Sequence, residues 1–202
     1  MKIILASKNQ DKIIEIKKIL VNSDIELLTS NDIDIPEVEE IGSTFVENAI
    51  LKARSASKVT GLASIADDSG IEVDYLNGEP GVKSARYSSP RATSDSNNQK
   101  LLKKLNGVPI EKRTARYRCI IVFMRFPDDP FPYISFGSWE GYIAQKLEGN
   151  NGFGYDPIFY LPEYKKTSAQ ISSEEKNMIS HRAQALFHLQ HYFDNIFTIQ
   201  NE

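Results

Sequence analysis

The sequence predicts an α/β fold, and three observations carry that expectation. Lys2 to Ala6 is a run of β-favouring residues that turns through Ser7-Lys8-Asn9-Gln10 into a helical pattern over Asp11 to Leu20. Thr44 to Val59 carries an apolar stripe (Val46, Ala49, Ile50, Ala53, Ala56) behind the capping-box spacing of Thr44 and Glu47. Tyr117 to Phe126 is apolar on both faces, the pattern of a central strand covered from two sides. Strands interleaved with helices of this kind predict a sheet with helices packed on it.

At 202 residues the chain suits one domain, 1–202, large enough for a substantial core without disulfides. Hydrophobic residues make up 41% and charged residues 25%, the balance of an ordinary globular protein. Cys119 is the only cysteine, which excludes an intrachain disulfide and fits a reducing cytoplasm. It lies within the apolar run from Arg118 to Phe126 and reads as a small buried hydrophobe. No apolar stretch reaches membrane-span length, and M-K-I-I-L-A-S-K-N is too short an apolar run for a signal peptide. The formal net charge of −3 argues against a nucleic-acid partner, so a phosphate-bearing ligand would be small and held by local cations.

The helix at Asp11 to Leu20 buries Ile13, Ile16, Ile19 and Leu20, with Lys12, Glu15 and Lys18 on its other faces. A strand–turn–helix with small polar residues and a lysine in the first helical turn is a phosphate-site layout, because free N–H groups and the helix dipole favour an anion. The G-x-x-x-x-G-K pattern is absent, and Ser7 or Asn9 serving only as an N-cap is the plainer alternative. A second strand is expected at Ile25 to Leu28. After it, Glu37, Glu39 and Glu40 cluster in a loop where one glutamate could complete a cation site, or where all three are merely solvated. Asn48 and Lys52, four residues apart, share a face of the second helix, and solvation of that face is the ordinary expectation.

Leu62 to Ala66 reads as a strand running into Asp67 and Asp68, with Ser69-Gly70 as a turn and Ile71 to Val73 as the next strand. Two acids beside small residues can hold a divalent cation, or they can simply cap the turn. Strand alternation separates the pair: Asp68 is the candidate for chemistry, and Asp67 is expected to turn inward onto backbone amides. Ser88 to Asn98 reads as a surface loop, Gln99 to Leu105 as a helix closed by Asn106-Gly107, and Tyr133 to Trp139 as the hairpin partner of the central strand, extended by Gly141 to Gln145. In G-N-N-G-F-G-Y-D-P-I-F, Phe153 or Tyr155 offers a ring on which a base could stack, or packs as a core aromatic. Ser172 and Glu175 have capping-box spacing, and Ser180-His181-Arg182 opens a helix to about Asn195. A helix N-terminus disfavours cations, so His181 and Arg182 there make sense if an anion or an electron-rich ring edge faces them.

Several of these blocks stand in one order: S-K-N-Q-D-K-I-I-E, E-E-I-G-S-T-F-V-E-N-A-I-L-K-A, I-A-D-D-S-G-I-E-V-D-Y-L-N-G-E-P-G-V-K-S-A-R-Y, D-S-N-N-Q-K-L-L-K-K-L, G-N-N-G-F-G-Y-D-P-I-F and E-E-K-N-M-I-S-H-R-A-Q-A-L. Together they resemble the inosine/xanthosine triphosphate pyrophosphatase family (HAM1-like, RdgB-like) over Lys2 to about Leu186. The resemblance implies a two-lobed α/β fold with a long mixed sheet, helices flanking it, a substrate cleft between the lobes, and a homodimer. It implies hydrolysis of ITP, dITP and XTP to the monophosphate and pyrophosphate, clearing these nucleotides from the pool with Mg²⁺ as cofactor.

Residue by residue, Ser7, Asn9 and Lys12 would hold the phosphates, and Lys8, Gln10 and Asp11 would complete this substrate-binding stretch. Glu40 and Asp68 would bind the metal, Asp68 doubling as proton acceptor, and Ser69 would contact substrate. Phe153, Gly154, Tyr155, Asp156, Lys176, His181 and Arg182 would form the rest of the nucleotide site, Arg182 and His181 as donors to the C6 carbonyl of the base. There are two departures from the family pattern: Lys8 stands where glycine is common, and Leu147-Glu148 replaces a frequent Pro-Arg. A related Maf-type pyrophosphatase with other nucleotide preferences and a non-catalytic nucleotide binder are the competing readings.

Overall fold

A computed structural model describes residues 1–20 and 25–199, with side chains through Ile196. The strands are β1 (Lys2–Leu5), β2 (Glu26–Leu28), β3 (Ala63–Val73), β4 (Thr114–Met124), β5 (Tyr133–Ile143), β6 (Phe159–Leu161) and β7 (Lys166–Thr167). They form one seven-stranded sheet in the order β2-β1-β3-β4-β5-β6-β7. β1 pairs in parallel with β2 and β3, whereas β6 pairs antiparallel with β5 and β7, so the sheet is mixed. The α-helices are α1 (Gln10–Ile19), α2 (Phe45–Thr60), α3 (Ser94–Lys104), α4 (Ser173–Ile179) and α5 (His181–Ile199).

The helix starts follow their capping residues. Asn9 caps α1, its side chain accepting the Lys12 backbone N–H at 3.1 Å. Thr44 and Glu47 close the reciprocal capping box of α2, and Ser172 and Glu175 do the same for α4. Each box satisfies donors that the first helical turn leaves without an intrahelical partner.

The chain divides into two compact units. The first comprises Met1–Asp68, Cys119–Gly137 and Arg182–Glu202. Here strand alternation sorts the core into two layers. Ile3, Leu5, Ile65, Ile121 and Phe123 pack with Ile13 and Ile16 of α1 and with Ala185, Leu186, Leu189 and Phe193 of α5. Their neighbours in sequence turn the other way: Ala66, Val122 and Met124 meet Ala49 and Ala53 of α2, and Ile4 meets Ala56. The second unit, Ser69–Arg118 with Ser138–His181, has its own core of Ile71, Val73, Tyr117, Trp139, Ile143, Phe159 and Ile171, covered by Leu101 and Leu105 of α3.

One expectation is corrected. Asp67-Asp68-Ser69-Gly70 is no turn between two strands: β3 runs unbroken from Ala63 to Val73. Small polar residues favour turns only where the backbone lacks a better partner, and β3 lies between β1 and β4 in the sheet. The extension expected from Gly141 is present, since β5 runs unbroken from Tyr133 to Ile143.

Gly141 is required there by space. A Cβ at this position would fall 2.6 Å from the Tyr160 carbonyl oxygen and 2.8 Å from the Phe159 ring. Gly141→Ala is expected to force β5 and β6 apart at a cost of about 1–3 kcal/mol. For a chain of this size that lowers Tm by roughly 2–4 °C per kcal/mol, and an unchanged Tm would refute the steric account.

Candidate active site

In the first unit the layers place the two acids of β3 on opposite faces. Asp67 shares parity with Ile65 and so points toward α1 and α5; Asp68 shares parity with Ala66 and points toward α2. Their partners follow. Asp67 Oδ2 accepts from Lys12 Nζ of α1 at 2.9 Å and from Arg182 Nη2 of α5 at 3.3 Å. Arg182 Nη1 donates in turn to Glu15 of α1. Burial alone would raise the Asp67 pKa, but Lys12, Arg182 and Lys52 outweigh it and hold the carboxyl well below the usual range.

Asp68 has different company. Its Oδ1 accepts from Lys52 Nζ at 2.8 Å and its Oδ2 from Asn48 Nδ2 at 3.4 Å, both donors coming from α2. Lys52 Nζ also reaches Glu40 Oε1 at 3.0 Å, so two carboxylate oxygens converge on one ammonium. Burial pushes the Asp68 pKa up despite the attraction of Lys52. Burial would lower that of Lys52, but Asp68, Asp67 and Glu40 raise it. Of the acidic loop, Glu37 and Glu39 are exposed, and Glu40 alone of the three meets Lys52.

The expectation that Asp67 would hold backbone amides is corrected: it holds two side-chain cations. Alternation chose its face, but the groups waiting there come from α1 and α5. The anion expected in front of Arg182 is therefore supplied by the protein, as Asp67 and Glu15. His181 meets a ring face and not the expected ring edge: its ring stacks face to face on Tyr117, with centroids 4.5 Å apart and planes within 4°.

Lys8 and Asn9 before α1 and Gln10 and Asp11 at its start are exposed, with Ser7 and Lys12 half-buried. Ser7 Oγ accepts the Asn9 N–H at 3.3 Å, and the Gln10 and Asn31 amides lie 3.4 Å apart.

The second unit holds its own acid–lysine pair. Lys176 Nζ donates to Asp156 Oδ2 at 2.6 Å, and that oxygen also accepts the Phe153 N–H at 2.9 Å. Asp156 Oδ1 accepts from Ser168 Oγ at 3.0 Å and from Tyr117 OH at 3.3 Å. The Lys176 ammonium lies 4.8 Å from the centroid of the half-buried Phe153 ring. The Tyr155 ring belongs to the core, with its hydroxyl on the Ser84 carbonyl at 2.8 Å, which leaves Phe153 as the accessible aromatic of this loop. The Gly154 carbonyl accepts from Asn98 Nδ2, and Ser69 follows Asp68 directly in β3.

Residues assigned no role from the sequence enter these clusters: Lys52 and Asn48 on Asp68, Glu15 on Arg182, and Tyr117 and Ser168 on Asp156. The i,i+4 spacing of Asn48 and Lys52 was the available signal, because it put two polar groups on one helix face. Glu15 lies three residues from Lys12, again one face, but nothing in the sequence tied that face to position 182.

The chain is thus an α/β protein whose mixed sheet bears an acid pair split between its faces, with a lysine on each acid. The Ham1 family profile matches residues 3–192, and the chain belongs to that family. It is 55% identical over 186 residues to a protein of Thioalkalivibrio sulfidiphilus named dITP/XTP pyrophosphatase, covering 92% of this chain and 95% of that one. A Photobacterium profundum protein of the same name is 49% identical over 185 residues, 92% of this chain and 94% of its own. Among solved structures, a HAM1 protein from Coxiella burnetii superposes with a TM-score of 0.90 at 45% identity, covering 96% of this chain and 99% of the other. The Staphylococcus aureus Ham1 protein gives 0.86 at 44% identity with the same coverage.

The Asp156 site is sensitive to Gly152, which has φ +72° and where a Cβ would fall 2.0 Å from Asp156 Oδ2. Gly152→Ala should cost about 1–2 kcal/mol for the left-handed backbone alone and expel the carboxylate from Lys176. Mass-spectrometric acetylation footprinting is expected to find Lys176 protected in the parent protein and labelled in the variant; equal protection would refute the coupling. For Asp67 the sign of the pH dependence is set by its depressed pKa. Its stabilising contribution is fully present above the unfolded carboxylate value of about 3.9 and is lost as pH falls from there through the lower folded value. The gap in unfolding free energy between the parent and Asp67→Asn should therefore narrow below about pH 4, measured by denaturant titration; a gap that widens in acid would contradict the ion-pair assignment.

Proposed function

We propose that this chain hydrolyses non-standard purine nucleoside triphosphates, ITP, dITP and XTP, to the nucleoside monophosphate and pyrophosphate. The names borne by its relatives support the reaction. The observation that carries it to particular residues is the division of labour between neighbouring acids. Asp67 is bound to two cations on one face of the sheet, whereas Asp68, on the other, shares one lysine with a second carboxylate. A carboxylate within reach of a water can accept its proton in the transition state. Asp68 is assigned to orient and deprotonate the attacking water.

Glu40 and Asp68 fit a magnesium ion in kind, because their oxygens already converge on one cation and Mg²⁺ takes one or two carboxylates plus water and substrate phosphates. Among the described residues no cluster of three or more His, Cys, Asp or Glu side chains forms a closed metal cage. When bound, the ion would neutralise the charge that repels a nucleophile from a triphosphate. Lys12 is assigned to the phosphates, where an ammonium stabilises charge that moves onto the pyrophosphate leaving group. Ser7, Asn9 and the exposed turn after them offer further donors.

Base recognition is assigned to Phe153, Lys176 and His181. The ring of Phe153 can stack on a base, and cationic or N–H donors pair with the C6 carbonyl of hypoxanthine or xanthine. The same donors oppose the amino group of adenine, and a site built on such pairing can discriminate by on the order of 10⁴-fold.

We also assign the protein to the cytoplasm as a homodimer. Buried, solitary Cys119 suits a reducing compartment, and no described helix is long and apolar enough to cross a membrane. Phe131 and Phe136, 84% and 65% exposed, are the apolar side chains a partner copy would cover.

A nucleotide panel with Mg²⁺ should find pyrophosphate release from dITP, ITP and XTP far exceeding that from dATP, dTTP or UTP. Asp68→Asn is expected to lower kcat by at least about 10²-fold with the Tm retained. A preference for dTTP or UTP would favour the Maf-type reading, tight ITP binding without turnover would favour a binder, and near-normal turnover by Asp68→Asn would remove its role.

A further inference from the structure

Arg182 is 2% exposed, and its two terminal nitrogens engage Asp67 and Glu15. Around it four charges close into a ring of alternating sign: Lys12 with Asp67, Asp67 with Arg182, and Arg182 with Glu15. Glu15 and Lys12 then complete the circuit through α1, where residues three apart lie on one face. The ring thus ties α1, β3 and α5 together inside the first unit; Asp67 and Arg182 are buried, and the half-buried Lys12 stands next to the exposed positions 8–11.

We infer that Glu15 is a positioning residue for the phosphate-binding lysine, acting through Arg182 and Asp67. This rests on the phosphate role given to Lys12. A guanidinium forms bidentate or bridging contacts in one plane. With Glu15 on one nitrogen and Asp67 on the other, the plane of Arg182 is fixed, and with it the position of Asp67 Oδ2. Lys12 bonds to that same oxygen. A lysine side chain carries about 2 kcal/mol of rotamer entropy, so fixing its partner removes a loss that would otherwise accompany ligand binding. On this account Arg182 reads no base: it orders the anion that orders Lys12.

The test separates this geometry from simple charge. Removing a negative charge near an anion site should strengthen anion binding if charge alone matters, whereas loss of positioning should weaken it. Glu15→Gln is expected to weaken calorimetric binding of inorganic tripolyphosphate by about tenfold, equivalent to about 1.4 kcal/mol. It should raise KM for dITP and dGTP by the same factor, leaving their kcat/KM ratio unchanged. In a Lys12→Met background Glu15→Gln should have no further effect, because the two residues act in one chain. Arg182→Lys, which keeps the charge but cannot bridge Glu15 and Asp67, should give the same pattern and covers the case in which Glu15→Gln fails to fold.

Tighter tripolyphosphate binding, an altered dITP to dGTP ratio with tripolyphosphate unaffected, or an equal loss in the Lys12→Met background would each overturn the inference. Tripolyphosphate carries no base and needs no turnover, so the two readings fail separately. A parent protein that hydrolyses dITP while Glu15→Gln leaves tripolyphosphate binding intact refutes the positioning role alone. Weakened tripolyphosphate binding in a protein inactive on dITP refutes only the activity.

Discussion

Two carboxylates on consecutive residues of an unbroken strand cannot share a face, and the first unit is arranged around that constraint. Because β3 continues through Asp67 and Asp68, its side chains keep alternating, and each acid enters a layer already defined by apolar neighbours. The Asp67 layer brings α1 and α5, hence Lys12 and Arg182; the Asp68 layer brings α2, hence Lys52 and Asn48. A turn at this point would have released both acids to solvent and left the cations without partners. Continuity of the strand is what makes the acids chemically different.

Burying these charges is tolerable only because each is answered. An isolated ion in the interior costs several kcal/mol, and removing one member of a buried pair typically costs about 3–5 kcal/mol because the other is stranded. Such pairs are weak sources of net stability but strong determinants of geometry. Asp67 and Arg182 are both almost fully buried, and each has more than one opposite charge against it. Burial raises the Asp68 pKa, and one close lysine does not offset it while the neighbouring glutamate adds to it, whereas the cations around Asp67 depress its pKa.

Much of this was legible in the sequence, for identifiable reasons. The capping boxes at Thr44 and Ser172, the apolar stripes of α1 and α2 and the buried pattern of β4 are local signals, readable within one turn or one strand. The opposed orientation of Asp67 and Asp68 followed from a period of two, even though the segment itself was read as a turn. What stayed hidden depended on partners far along the chain. Glu15 and Arg182 are 167 residues apart, and no periodicity in α1 distinguishes a glutamate that meets a distant guanidinium from one that meets water. Lys52 and Asn48 show the intermediate case, in which spacing revealed a shared face but only the fold revealed what lay opposite.

The same device recurs in the second unit, which suggests why these lysines are paired before any ligand arrives. Asp156 receives four donors, from Lys176, the Phe153 backbone, Ser168 and Tyr117. A carboxylate so fully bonded is held at one position, and it presents Lys176 over the Phe153 ring. In both units a buried, multiply bonded aspartate fixes a lysine, so the cation's direction is set by the protein and not by the substrate. A ligand that meets a pre-oriented cation binds without first ordering a flexible side chain, and the free energy otherwise lost to ordering remains available to favour one ligand over another. Lys52 differs in kind: its acids are the candidate metal ligands and base, so its position is coupled to the reacting groups themselves. In the proposed reaction Lys12 is the lysine assigned to the phosphates, and Lys52 governs the carboxylate assigned as base.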